Sequence, residues 1–373
     1  MKMNRTCRSS TSAVGGPGAP RAGFFRNWRA SLRRAAPLLA AFSLLLSACA
    51  KKPPTLHVFI WSDYIKPELV SAFEALNGCK VVMDYYDSNE SMYAKLKAGG
   101  GGYDVVFPSS YMVNIMQAQG MLRPLDHTLL PNLAHLDPSA NRFTMDTNHA
   151  FSIPYMLGSS GIGYLAGKVP DFQPTWHMFE SPDYKGRMTL MNDYRETIGA
   201  ALKALGYSLN TLNTNELAAA RDLIITWKAN IAKFESEQYK NGLVSSEFFV
   251  VHGYSGDIMQ IMEENEDIMY VVPEEGTSVA LDEVAILKDA PQPELAHAFL
   301  NYLHQPEVAA QNIEFVYYLC PNLPAYDLVS EEVRNDPAVF LPQEIMDRSE
   351  VVWDLGENNA LYSRIWDEVK GAE

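Results

Sequence analysis

Short apolar runs alternate with segments of helical period along most of the chain, and this alternation predicts the architecture. Val58-Phe59-Ile60 reads as a short buried strand. Pro67 then opens a segment with Leu69, Phe73 and Leu76 at helical spacing, and Asn77-Gly78 stops it. Lys80–Tyr85 predicts a second strand. Ser88–Lys97 predicts a helix with Met92 and Leu96 inward, ended by the glycine run Gly99–Gly102. Tyr103–Phe107 predicts a third strand, which Pro108 breaks before Met112, Ile115 and Met116 begin another helix. Strand and helix at this spacing argue for a parallel or mixed sheet with right-handed crossovers. In open sheets of this kind ligands bind at the carboxyl ends of the strands. Trp61-Ser62-Asp63-Tyr64 and Ser109-Ser110-Tyr111 both fall in strand-to-helix turns at that edge. Aromatics, hydroxyls and a carboxylate there suit an organic cation; the blander alternative is that Trp61 and Tyr64 only cover the end of a core.

The second half repeats the scheme. Ser152–Tyr164 leaves the first unit through Pro154 and a glycine-rich stretch, a candidate inter-domain crossing. Arg187–Met191 predicts a strand. Asp193 and Glu196 have the spacing of a capping box at the start of a helix that carries Ile198, Leu202 and Leu205 on one face. Asn215–Asn230 predicts a long amphipathic helix whose Leu217, Leu223, Ile224 and Trp227 read as core. Glu247–Val251 predicts a strand, and Gly253-Tyr254-Ser255-Gly256-Asp257 a turn into a helix. Ile268–Val272 predicts a strand, followed by a second crossing at Pro273–Gly276. Helices are expected over Pro293–His304, Glu307–Phe315 and Leu361–Val369.

Composition adds a compartment and a sign of charge. The chain has 373 residues, enough for two domains, and its 47% hydrophobic and 20% charged content is that of a globular protein. Formal net charge is −15. The segment before Cys49 holds eight basic residues and no acidic one, so the remainder carries 22 basic against 45 acidic residues. Such a surface opposes nucleic-acid binding and suits cations. Leu38–Ala48 is an apolar run too short to span a bilayer comfortably but suited to a signal-peptide core. Leu46-Ser47-Ala48-Cys49 resembles the bacterial lipobox, which implies lipidation of Cys49 and tethering outside the cytoplasm. Cys79 and Cys320 remain in the mature chain and read as two separate thiols.

The usual catalytic signatures are missing. Gly158-Ser159-Ser160-Gly161 lacks the spacing of a nucleophile elbow, and the glycine run at 99–102 is not followed by Lys-Ser/Thr or a helix start. No H-E-x-x-H, paired C-x-x-C or EF-hand loop occurs. His297 and His304, seven apart on one helix, read as solvated-face residues. An enzyme, a cofactor and a metal site are therefore not expected.

Several dispersed segments resemble one family. Trp61-Ser-Asp-Tyr64, Asn89–Lys97, Tyr103–Tyr111, Ser152-Ile-Pro-Tyr155, Tyr184-Lys-Gly186, Ala201–Ser208 and Pro321-Asn322 occur in the order found in the polyamine-binding proteins of bacterial ABC importers, the PotD/PotF type. The resemblance spans about residues 56–370. It implies an α/β, two-domain periplasmic-binding-protein fold of type II, with ligand in the cleft between domains joined by crossing strands. The expected division is 1–48 signal peptide, 49–55 tether, 56–155 with 276–320 as the N-terminal lobe, and 156–275 with 321–373 as the C-terminal lobe. The resemblance implies carboxylates at Asp63, Asp193, Glu196, Asp257 and Asp282. It also implies aromatics at Trp61, Tyr64, Tyr111, Tyr254 and Tyr318, with Ser62, Ser109, Ser110 and Ser236 as polar contacts. The family's usual aromatic two residues before Asp282 is Ala280 here, and a family glutamine falls near Val352 and is not carried over. The implied function is a lipid-anchored extracytoplasmic receptor that delivers putrescine, spermidine or both to an ABC permease. It would act as a monomer, without nucleic acid, and with a slight lean to putrescine. The alternatives are a binding protein of this fold for another solute, and a surface or sensor lipoprotein.

Overall fold

The structure, a computed structural model, describes residues 52–372. The expected signal peptide and the first three residues of the tether, Cys49 among them, lie outside the described residues. The first strand, β1 (Thr55–Trp61), starts one residue inside the expected tether. It pairs in parallel with β2 (Lys80–Tyr86) and with β3 (Val105–Val106). Pro67 occupies the first turn of the helix Pro67–Asn77, and Gly78 ends it in the left-handed region at φ 58°, donating its N–H to Glu74 O. A residue with no Cβ takes that conformation without strain.

Two long strands tie the molecule together. The residues of β4 (Ser152–Leu165) pair first with β9 (Ser278–Ile286), over Ser152–Ser159. They then pair with β7 (Val250–Tyr254) and β8 (Ile268–Val271), over Ser160–Leu165. Pro154, which cannot donate to the ladder, sits where the β4–β9 register shifts. Strand β9 also pairs antiparallel with β3 and parallel with β10 (Glu350–Val351). On the far side β7 joins β5 (Met188–Leu190), which pairs with β6 (Lys233–Phe234). The continuous order is β2-β1-β3-β9-β4-β7-β5-β6.

Separate apolar clusters flank the two sheet sections. One joins Val58, Ile60, Phe73, Phe299 and Leu300; another joins Leu190, Ile198, Trp227 and Tyr362. Ala325, Val329, Val333 and Val339 pack into the first cluster, although the chain after residue 320 was expected in the second lobe. The closing helix, Asn359–Gly371, does pack in the second.

Three readings are corrected by packing. The third strand is only two residues long, Val105–Val106, rather than Tyr103–Phe107. Strand β7 runs three residues beyond the expected end, so Tyr254 stands on a strand rather than in a turn. His297 and His304 are buried, not solvated. His297 Nε2 accepts from Asp126 N, and His304 lies between the carbonyls of Leu300 and Pro154. Cys79 and Cys320 are buried and free.

Candidate functional site

The carboxyl ends of β1 and β3, the β4–β9 pair and the first turn of the helix Tyr194–Ala204 surround a cavity of about 350 Å³. That volume falls at the lower end of small-molecule sites. The cavity is lined by thirteen of the fourteen expected ligand residues. Asp63 is the exception. Its backbone is left-handed at φ 53° and its side chain is 65% exposed, facing Lys240 at 3.6 Å from the cavity's outer side. Among the four consecutive residues Trp61–Tyr64, the tight turn sends only Asp63 away from the cavity.

Asp282 stands at the centre. Strand β9 fixes its backbone, and Ser109 bridges to it antiparallel from the turn after β3. Its Oδ2 accepts from Tyr64 Oη at 2.7 Å and its Oδ1 from Ser109 Oγ at 2.5 Å. Burial pushes its pKa up to about 6 despite those two donors, because desolvation disfavours the charged form. Ser109 is itself held by Asn89, which donates from Nδ2 to Ser109 Oγ and accepts from Ser109 N. Ser110, by contrast, is buried and accepts from Met145 N, holding the next loop.

A second pair of carboxylates comes from the other sheet section. Asp193 caps its helix as expected, accepting from Arg195 N at 2.8 Å and Glu196 N at 3.1 Å. Glu196 makes a different contact from the one the capping box predicts. Its Oε2 accepts from Ser278 Oγ on β9 at 2.5 Å, reaching across the cavity floor. Burial raises the pKa of both groups, and the neighbouring Asp193 charge raises Glu196 further. Arg195 does not neutralise them at close range: its guanidinium donates to Trp353 O and Asn210 Oδ1. Ser236 accepts from Asn192 N at the same rim.

Aromatic rings form the walls. Trp61 Nε1 donates to Phe107 O, and its ring lies 4.6 Å from that of Tyr86, whose hydroxyl also donates to Phe107 O. Tyr64 meets Tyr318 edge-on at 5.5 Å. Gly158 and Gly256 flank the Tyr318 ring so closely that a Cβ at either would collide with it. Tyr111 donates to Glu90 Oε1 at 3.1 Å. Tyr254 lies opposite Ser160 at the end of β7. Ala280 and Val352 also line the cavity.

The structure adds residues that sequence reasoning missed. Glu90, Glu237 and Lys240 line the cavity. Glu90 lies in the segment Asn89–Lys97, one residue after Asn89, but a glutamate in a helix's first turn reads as a dipole partner. Lys240 carries no pattern at all. Among the described residues no group of three potential metal ligands occurs, and no helix is long and apolar enough to cross a membrane.

Comparison with known proteins supplies the family. Residues 68–341 match the family described as bacterial extracellular solute-binding protein. The chain is 35% identical over 338 residues to the spermidine/putrescine-binding periplasmic protein of Escherichia coli, covering 89% of this chain and 97% of that one. It superposes at a TM-score of 0.75 and 34% identity on the spermidine/putrescine ABC transporter substrate-binding protein PotD of Streptococcus pneumoniae, covering 85% and 98% of the two chains. The TpPotD lipoprotein of Treponema pallidum gives 0.77 at 31% identity, with 84% and 99% covered. With a mixed sheet spanned by crossing strands and a cleft at its strand ends, the chain belongs to the bacterial extracellular solute-binding proteins of the two-domain type II fold, and is an extracytoplasmic binding protein rather than an enzyme.

Proposed function

We propose that this protein captures polyamines, putrescine and spermidine among them, in the cleft and delivers them to the permease of an ABC importer. The carrying observation is Asp282: a carboxylate held by Tyr64 and Ser109, desolvated, and walled by aromatic rings. A polyamine alternates ammonium groups with methylene runs. Burying a four-carbon spacer contributes about 3 kcal/mol at roughly 0.8 per CH₂. Aromatic faces add about 0.5–2 kcal/mol for each cation. Micromolar binding needs about 8 kcal/mol net of association costs. The carboxylates must supply the remainder through charge-assisted hydrogen bonds.

In this reading Asp282 holds one ammonium and the Asp193–Glu196 pair holds the other. Trp61, Tyr64, Tyr111, Tyr254 and Tyr318 enclose the spacer, and Ser62, Ser109 and Ser236 line the rim. Asp63 is left out, and Asp257 is treated below. The two lobes are 56–155 with 276–340, and 156–275 with 341–373, the boundary being moved so that Val329, Val333 and Val339 stay with the first core. The mature chain is a monomer, anchored by lipid on Cys49; the lipoprotein relative in Treponema supports that part of the reading. Calorimetric titration of lipid-free protein with putrescine, spermidine and spermine tests the proposal. Micromolar or tighter binding is expected, and no heat with any of the three contradicts it.

A further inference from the structure

Lys240 is a cation in a cleft whose other charged lining residues, Arg195 apart, are all acidic. It lies in the short helix Tyr239–Val244, with its side chain 18% exposed. Its Nζ is 3.6 Å from Asp257 Oδ2 and 3.6 Å from Asp63 Oδ2. Asp257 Oδ2 also accepts from Tyr239 Oη at 2.7 Å. Burial would pull the lysine pKa down, but Asp257, Asp63 and Glu237 outweigh it and hold the pKa above its ordinary value. The side chain is thus a tethered alkylammonium, four methylenes ending in a charge. It is already seated on Asp257, one of the carboxylates that the family resemblance implies for a ligand.

Lys240 also has a particular place in the fold. It lines the inner cavity, and it lines a second pocket of about 390 Å³ on its other side. Among the described residues no other lines both. The outer pocket is acidic, with Glu263, Glu264 and Glu314 beside Tyr317, whose hydroxyl donates to Glu263. The lysine side chain therefore divides an inner cleft that suits a short dication from an outer space that could take a further charge.

We propose that Lys240 is a specificity-determining residue that caps the cleft at Asp257, so that the site favours a diamine over a longer polyamine. Asp257 is satisfied within the protein, and a ligand in the inner cleft is limited to the Asp282 and Asp193–Glu196 ends. This inference rests on the polyamine reading. Removing the ammonium frees Asp257, joins the two spaces and gives a third ammonium a partner.

The test is calorimetric titration of wild type, Lys240→Ala and Lys240→Gln with putrescine and with spermidine, each variant checked for cooperative melting. Both variants are expected to move the spermidine-to-putrescine affinity ratio toward spermidine by about tenfold or more. An unchanged ratio, with both affinities shifted together, would mean that Lys240 only ties the Asp63 turn to its helix, and would overturn the proposal while leaving the polyamine reading intact. Wild type that binds neither compound would overturn the polyamine reading, and this proposal with it.

Discussion

Replacing Asp282 by asparagine removes the charge and keeps the shape, and the structure sets the size of the effect. The carboxyl pKa rises from 3.8 to about 6 because burial outweighs the Tyr64 and Ser109 hydrogen bonds. At neutral pH the unliganded fold therefore carries an ionised group at a cost of roughly 2–3 kcal/mol relative to water. An ammonium docking there recovers that cost and adds a charge-assisted bond. Truncating one partner of a desolvated charge pair typically costs about 2–5 kcal/mol. Asp282→Asn should thus weaken putrescine binding by about thirtyfold or more, since 1.4 kcal/mol is tenfold. The unliganded variant should melt at an unchanged or higher temperature near pH 7.5, because the desolvated charge is gone. Titration calorimetry and thermal melting read the two effects. Binding within threefold of wild type would place the ammonium elsewhere and refute the reasoning.

Other outcomes follow from the same geometry. Affinity should fall as pH drops through about 6, because an ammonium needs Asp282 ionised; each obligatory deprotonation contributes up to tenfold per pH unit below its pKa, and a flat profile from pH 5 to 8 would contradict it. The complementary sign holds for stability. Burial raises the folded-state pKa values of Asp282 and of its neighbour on β9, Glu283, which accepts from Thr144 and Ser152, to about 6 and about 7, so their stabilisation is present at low pH and lost as pH rises through those values. Saturating diamine should flatten the Asp282 part of that loss in melting scans. Gly158→Ala should push the Tyr318 ring off its wall, lowering stability by about 1–3 kcal/mol and weakening binding; unchanged melting and titration would mean that the ring has room to move. Cys49→Ala should abolish lipidation and release the protein from membranes, as read by mass spectrometry and fractionation; wild type found without lipid and starting at another residue would contradict the anchor.

The elements most legible in the sequence are those whose ends carry local chemistry. The first strand and helix were readable because Pro67 and Gly78 act within one turn of where they stand. Asp193 was readable as a cap for the same reason. What stayed hidden depends on direction or on distant partners. Trp61, Ser62, Asp63 and Tyr64 are consecutive, and no pattern tells which of four side chains a tight turn sends outward; only the left-handed backbone at Asp63 does so. Lys240 gains its meaning from Asp63 and Asp257, which flank it in space but not in sequence. Glu196 fits a capping box, yet its partner is Ser278 on a strand that returns much later. His297 and His304 share a helix face because they are seven apart, but that spacing does not say whether the face is wet. The dispersed motifs located the cleft, since each lies where a strand ends, but they did not show how its charges are already paired.

The most direct measurement is a crystal structure of the lipid-free protein with putrescine at pH 8. The account predicts one ammonium within hydrogen-bonding distance of the Asp282 carboxylate, the other at Asp193 and Glu196, and Lys240 still on Asp257. A diamine bound outside the cleft, or inside it with Asp282 left unpaired, would contradict the central assignment.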